Sequence, residues 1–230
     1  MRGELPHVRT PFESDVGHGA LMAQDAALGA EPRMRLHPTS LRVGAGESLA
    51  ITGHNGAGKT SLLRVLAGEE QPDAGTVAWF GPEPPSLSVH LGGDLLFPEL
   101  TVGEHFQMLE AAWPSLDAGQ AAEELERWGM GGLLSHYSDE ISSGQKQAVE
   151  LLCTALRPVD VLIIDEPERR LDSHARSRMV ALLERARDAG TAVVVATHEP
   201  LVAERLGALR LGGAGGTGES GDHPTSLQGE

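Results

Sequence analysis

Apolar positions between residues 48 and 211 follow two rhythms. Short, near-continuous runs predict buried strands: "SLAIT" at 48–52, "VDVLIID" at 159–165 and "TAVVVAT" at 191–197. "GTVAWFG" at 75–81 and "SLSVHL" at 86–91 read as further strands, parted by Pro-rich turns. Helical spacing appears in "KTSLLRVLAG", where Leu62, Leu63 and Leu66 share a face and Gly68 ends the run. It returns in "TVGEHFQMLEAAW", "DAGQAAEELERWGM", "SSGQKQAVELLCTAL" and "SHARSRMVALLERARDAG", with a short helix after Pro200. Val/Ile/Leu strands bracketed by helices predict an α/β fold with a mostly parallel sheet covered on both faces. The helical block from about 92 to 150 interrupts that alternation and predicts an inserted helical subdomain.

Both ends lack this patterning. Residues 1 to about 30 read as a mobile tail with at most one short helix, over Ala20 to Leu28. Residues 212–230, "GGAGGTGESGDHPTSLQGE", are Gly- and Ser-rich and read as disordered, because they offer too little apolar surface to offset ordering entropy. The folded domain is expected over 31–211.

Composition narrows the classes. The 230 residues carry a net charge of −15, which argues against nucleic acid as a partner, since that binding rests on Lys and Arg neutralising phosphates. The same balance opposes docking on an anionic membrane through a basic patch. No run approaches the ~20 apolar residues of a membrane span, and the N-terminus has no compact apolar signal segment. The single cysteine, Cys153, allows no internal disulfide and reads as an inert buried residue.

Positive charge comes from sixteen arginines and only two lysines, Lys59 and Lys146. Lys59 lies in "GHNGAGKTS", residues 53–61, which matches G-x-x-x-x-G-K-[ST] between a strand and a helix. That is the P-loop context. Gly53, His54, Asn55, Gly56, Ala57 and Gly58 form a turn whose glycines let backbone N–H groups converge on phosphate oxygens. The helix that follows adds its positive end. Lys59 reaches β- and γ-phosphates as a compact point charge, which arginine's flat fork does not reproduce. Thr60 can place its hydroxyl on Mg²⁺, and Ser61 completes the motif.

Three further stretches sit at telling places. "VLIIDEP" ends a strand in two acids. Asp165 lies where parallel sheets bind ligands and can hold Mg²⁺ through water; Glu166 points another way and can polarise a water in line with the γ-phosphate. "ISSGQKQ", residues 141–147, reads either as a capping box of Ser142 with Gln145 or as an anion site at a helix start. "ATHEP" puts His198 at the end of the last apolar strand, placed to touch a γ-phosphate.

With all four pieces in this order, residues 35 to about 211 resemble the ATP-binding subunit of an ABC transporter. "ISSGQ" stands where that family has LSGGQ, and "LLFPELTVGEHF" resembles the segment leading into its helical subdomain. The resemblance implies a P-loop NTPase core with a small antiparallel β-subdomain and an inserted helical subdomain. It implies ATP and Mg²⁺ as ligands, with Thr60 and Asp165 at the metal. Glu166, His198 and Lys59 would be the catalytic residues. Two such subunits would sandwich two ATPs, with Ser142, Ser143, Gly144 and Gln145 acting in trans and Asp172 in the loop that crosses the seam. Multi-span membrane subunits would convert the cycle into transport, read here as export. The subunit would be cytoplasmic and peripheral at the inner face of the cell membrane. The alternatives are a soluble ABC-type ATPase with a regulatory or assembly role, and a weakly hydrolysing partner of another such ATPase.

The chain departs from the family in three places. The family's Gln about six residues before the Pro of "LFP" is missing from "HLGGDLLFP", and His90 lies upstream of that position. The seam-crossing loop reads "ERRLD", with Arg169 and Arg170 where small residues are common. No aromatic occurs between Phe12 and Trp79, so the usual adenine-stacking ring is absent; His37, Arg33 and Arg35 are the candidates to stand in, with weak base selectivity expected.

Overall fold

The computed structural model of the chain describes residues 19–81 and 84–212. The expected tail segment 1–18 and most of 212–230 lie outside the described residues.

Five strands form one parallel sheet in the order β5-β6-β7-β3-β8: β3 Ser48–Thr52, β5 Leu87–His90, β6 Val161–Asp165, β7 Ala192–Ala196 and β8 Ala208–Arg210. Pleat alternation sends successive side chains to opposite faces. Val161, Ile163, Ala192, Val194 and Ala196 enter one core with Leu62, Leu63 and Leu66 of α1 (Lys59–Leu66). Leu162, Ile164, Val193 and Val195 enter a second core with α4 (Ser143–Ala155) and α5 (Ser173–Asp188). Strands buried on both faces have no polar side to display, which is why β6 and β7 read as unbroken apolar runs.

The first core is closed by an antiparallel sheet in the order β2-β1-β4, with β1 Ala20–Leu28, β2 Leu36–Gly44 and β4 Ala74–Phe80. Here the structure corrects the sequence reading. Ala20–Leu28 is the central strand of this sheet, neither a helix nor part of a tail. "ALMAQDAAL" is rich in helix formers, but propensity is a weak prior that tertiary context overrides. Ala20, Leu21, Ala23 and Ala26–Leu28 are buried between two strands and α1. The pairing slips around Asp25, which takes φ 48°, and Ser40 and Asp25 exchange two hydrogen bonds there, at 2.9 and 3.0 Å. β2 escaped notice because it is an edge strand, polar and interrupted by Pro38, which edges tolerate.

The second core extends into the helical block: α2 (Val102–Ala112), α3 (Ala118–Arg127) and the N-terminal part of α4. α2 starts with a Thr101–Glu104 capping box. Buried Glu124 of α3 accepts from Trp128 Nε1 (3.1 Å), Arg127 (2.8 Å) and Arg185 of α5 (2.5 Å), tying the block to the sheet domain. No helix among the described residues is long and apolar enough to cross a membrane.

Candidate functional site

Residues 53–58 turn the chain from β3 into α1. Gly58 is the N-cap of α1 at φ 96°, and a Cβ there would lie 2.6 Å from Arg35 O. Both facts demand glycine. Gly56, at φ 81°, has open space around its Cα, as expected of backbone that faces a ligand. Lys59 is buried and curls back, donating from Nζ to Gly53 O (3.0 Å) and His54 O (3.3 Å).

Thr60 follows on the helix, and its hydroxyl donates to Asp165 Oδ2 at 2.6 Å. The link spans two parallel strands and joins the ends of two motifs far apart in sequence. Burial pushes the Asp165 carboxyl above the ordinary range. Glu166 and Glu168 push the same way, against the Thr60 bond and the Lys59 charge. A half-buried carboxyl crowded by two acids is left short of countercharge by Lys59 alone. A divalent cation beside Thr60 would supply it, so the residues fit the expected Mg²⁺.

Glu166 takes a left-handed backbone at φ 47° while its N–H bonds Ala196 O at 2.8 Å. Non-glycine residues rarely adopt this conformation, and such strain gathers at functional sites. It brings Glu166 Oε1 within 3.5 Å of His198 Nε2, with both side chains about 40% exposed. A carboxylate and an imidazole thus share the open edge of the site.

A polar cavity of about 140 Å³ opens beside Asp165 and Glu166, next to Gly92 and Gly93. His90 and Glu150 also line it, both buried, with His90 Nε2 3.8 Å from Glu150 Oε2. Burial lowers the His90 imidazole and raises the Glu150 carboxyl, so it favours the neutral form of each. His90, upstream of the missing Gln in sequence, therefore faces the space beside Glu166. Lys146, the other lysine, pairs with Asp94 at 3.2 Å and ties α4 to the loop after β5.

The signature residues sit at the start of α4. Ser142 and Gln145 form a reciprocal capping box, as one of the two readings of "ISSGQKQ" expected. Gly144 packs against the loop that follows β6: a Cβ there would lie 2.7 Å from Arg170 O. Asp172 caps α5, accepting from Ala175 N–H at 2.8 Å. Among the described residues, no hydrogen bond joins Ser142, Ser143, Gly144 or Gln145 to the 53–61 loop. At the β2 entrance, Arg35 is ion-paired to Glu70, while His37 is exposed.

One functional candidate escaped the sequence reading. Glu168 is buried behind the Asp165-Glu166 corner, and its Oε1 accepts from Thr197 Oγ1 and from the His198 N–H, each at 2.8 Å. The available signal was an acid in the short turn after "DEP", but its partners lie about thirty residues away.

The family model described as ABC transporter covers residues 36–169, and the chain belongs to that family. The chain is 31% identical over 193 residues to the macrolide export ATP-binding/permease protein MacB of Shigella flexneri, covering 75% of this chain and 30% of that protein. It therefore spans less than a third of that relative's length. It is 33% identical over 199 residues to the thiamine import ATP-binding protein ThiQ of Chelativorans sp. (strain BNC1), covering 82% of this chain and 81% of that one. A solved ATP-binding subunit of an ABC transporter superposes with a TM-score of 0.69 at 25% identity, covering 83% of this chain and 85% of its own. The fold is that of a P-loop NTPase, and the domain is an ATP-binding ABC-type ATPase. One named relative is an export protein and the other an import protein, so kinship does not carry the expectation of export.

Proposed function

We propose that this chain is the MgATP-hydrolysing subunit of a transporter, working as one of a pair. The observation that carries the reading is the 2.6 Å link between Thr60 and Asp165, with Glu166 and His198 3.5 Å apart beside it. Phosphate-binding, cation-binding and water-activating groups thereby meet at the C-terminal end of one parallel sheet.

Each residue has a task its geometry suits. Lys59 exchanges its bonds to Gly53 O and His54 O for phosphate oxygens, a replacement of neutral acceptors by charged ones. The N–H groups of 55–60 and the start of α1 hold the same phosphates. Thr60 and Asp165 would hold the cation, whose charge would offset that of the β- and γ-phosphates. Glu166 orients and deprotonates the attacking water. His198 donates to the γ-phosphate and, 3.5 Å from Glu166, helps hold that carboxylate in place.

Ser142, Ser143, Gly144 and Gln145 make no hydrogen bond to their own P-loop among the described residues, which suits action on a nucleotide held by a second subunit. Asp172 lies on the same loop as Arg169 and Arg170 and belongs to that seam. The partner is a second ATPase of this family, with membrane subunits completing the transporter on the cytoplasmic side. Glu166→Gln tests the reading: the variant is expected to bind MgATP with near-normal affinity and to hydrolyse it at least about 100-fold more slowly. Persistent hydrolysis would remove Glu166 from the base role, and loss of binding would remove the nucleotide site.

A further inference from the structure

The Glu168 side chain ties the strand-end turn 166–170 to the loop after β7. Glu168 Oε1 accepts two hydrogen bonds of 2.8 Å, one from the Thr197 hydroxyl and one from the His198 backbone N–H. The Thr197 hydroxyl in turn accepts from Glu199 N–H at 2.9 Å, and the Glu199 carboxylate accepts from Arg176 of α5 at 2.9 Å. The backbone on both sides of His198 is thus fixed from within the protein, while its imidazole stands out towards Glu166.

Stability alone does not account for this acid. Glu168 and Thr197 are both buried, and Glu168 Oε2 has no hydrogen-bond partner among the described residues. A buried carboxylate oxygen without a partner is costly, so an acid is not the residue that burial alone favours at this position. Glu168 Oε1 takes one side-chain donor and one backbone donor, both from the loop that carries the His198 ring.

We infer that Glu168 is a positioning residue for hydrolysis, acting through His198 rather than on the nucleotide. It does not line the cavity beside Asp165 and Glu166. Its side-chain hydrogen bonds go to Thr197 Oγ1 and the His198 N–H, so beyond its repulsion of the Asp165 carboxyl, which alanine and glutamine at this position remove alike, its influence on the reaction passes through the ring it holds. A displacement of about 1 Å in such a group lowers a rate by up to about 100-fold, while substrate affinity set elsewhere stays.

The inference rests on the proposed MgATPase activity, and the test separates the two. Steady-state hydrolysis and nucleotide binding are measured for the full chain, Glu168→Ala, Glu168→Gln, His198→Ala and the Glu168→Ala/His198→Ala double variant. Glu168→Ala is expected to lower kcat by about 10- to 100-fold with KM for ATP changed less than about threefold. Glu168→Gln keeps the Oε1 acceptor and is expected to recover most of that loss. In the His198→Ala background, Glu168→Ala is expected to lower kcat no further, because the group it positions is gone. An unaltered kcat in Glu168→Ala, or an equal additional loss in the double variant, would overturn the positioning role. If the unsubstituted chain does not hydrolyse MgATP with its partner present, the proposed function fails and takes this inference with it; a hydrolysing chain whose Glu168→Ala variant keeps its kcat fails this inference alone. Should Glu168→Ala unfold, Glu168→Asp replaces it: withdrawing the acceptor by one methylene is expected to lower kcat in the native chain and not in the His198→Ala background, and an equal loss in both backgrounds would overturn the positioning role.

Discussion

Gly58 and Gly68 flank the same helix, and alanine at each separates two costs that usually arrive together. Both take positive φ, 96° at Gly58 and 74° at Gly68. At Gly68 a Cβ would meet nothing within 4 Å; at Gly58 it would lie 2.6 Å from Arg35 O and 3.3 Å from Leu36. Left-handed backbone costs a non-glycine residue about 1–2 kcal/mol, and that applies to both. The gain from restricting the unfolded chain, about 0.4–1 kcal/mol, also applies to both and cancels in the comparison. Crowding against backbone adds about 1–3 kcal/mol at Gly58 alone. For a domain of this length each kcal/mol shifts Tm by about 2–4 °C, so Gly58→Ala is expected to melt about 2–12 °C below Gly68→Ala. The assay is reversible thermal unfolding of both variants, followed by ATP titration at 20 °C. Gly58→Ala should also weaken ATP binding, because the turn that aims Lys59 has moved, whereas Gly68→Ala should not. Coincident melting points would refute the assignment of crowding to the Arg35 carbonyl, and unaltered ATP affinity in Gly58→Ala would refute the link between that contact and the phosphate loop.

Lys59→Ala removes a charge-assisted phosphate contact worth about 1.5–3 kcal/mol, so ATP affinity is expected to fall roughly 10- to 100-fold in an equilibrium titration. Burial pushes the Cys153 thiol up to about 12, so the native chain is expected to resist thiol reagents at pH 8 and to react at one site per chain on unfolding; rapid native labelling would contradict the buried placement. Burial pushes the Glu124 carboxyl up, but its bonds to Arg127, Trp128 and Arg185 outweigh that and leave it below its ordinary value. A depressed carboxyl contributes stability above its unfolded value, about 4.3, and loses it as pH falls through the folded value. Denaturation at pH 7 and pH 3 should therefore show Glu124→Gln less stable at pH 7, with the gap narrowing at pH 3.

The parts of the fold legible in the sequence are those where burial leaves one reading. β3, β6 and β7 sit inside a two-faced core, so their composition has no alternative to a buried strand. The phosphate loop, Asp165 and His198 were legible because each ends such a strand. β1 was not, since "ALMAQDAAL" suits a helix until strands on both sides and α1 beneath it decide otherwise. β2 hid behind Pro38 and its polar edge. At the site, sequence spacing gave residue types but not who faces whom. Glu168 holding His198, His90 reaching the cavity beside Glu166, and Gly144 packed on Arg170 are contacts between distant segments, fixed only when β5, β6 and β7 line up.

Paired action on nucleotide is the centre of the account, and the molar mass of Glu166→Gln in solution tests it most directly. The variant keeps Lys59, Thr60 and Asp165 for binding but lacks the proposed base, so it should hold MgATP without consuming it. The expected result is a monomer without nucleotide and twice that mass with MgATP, reversed when the nucleotide is removed. A monomer that binds MgATP yet never changes mass, alone or mixed with its membrane subunits and any companion ATPase, would contradict it.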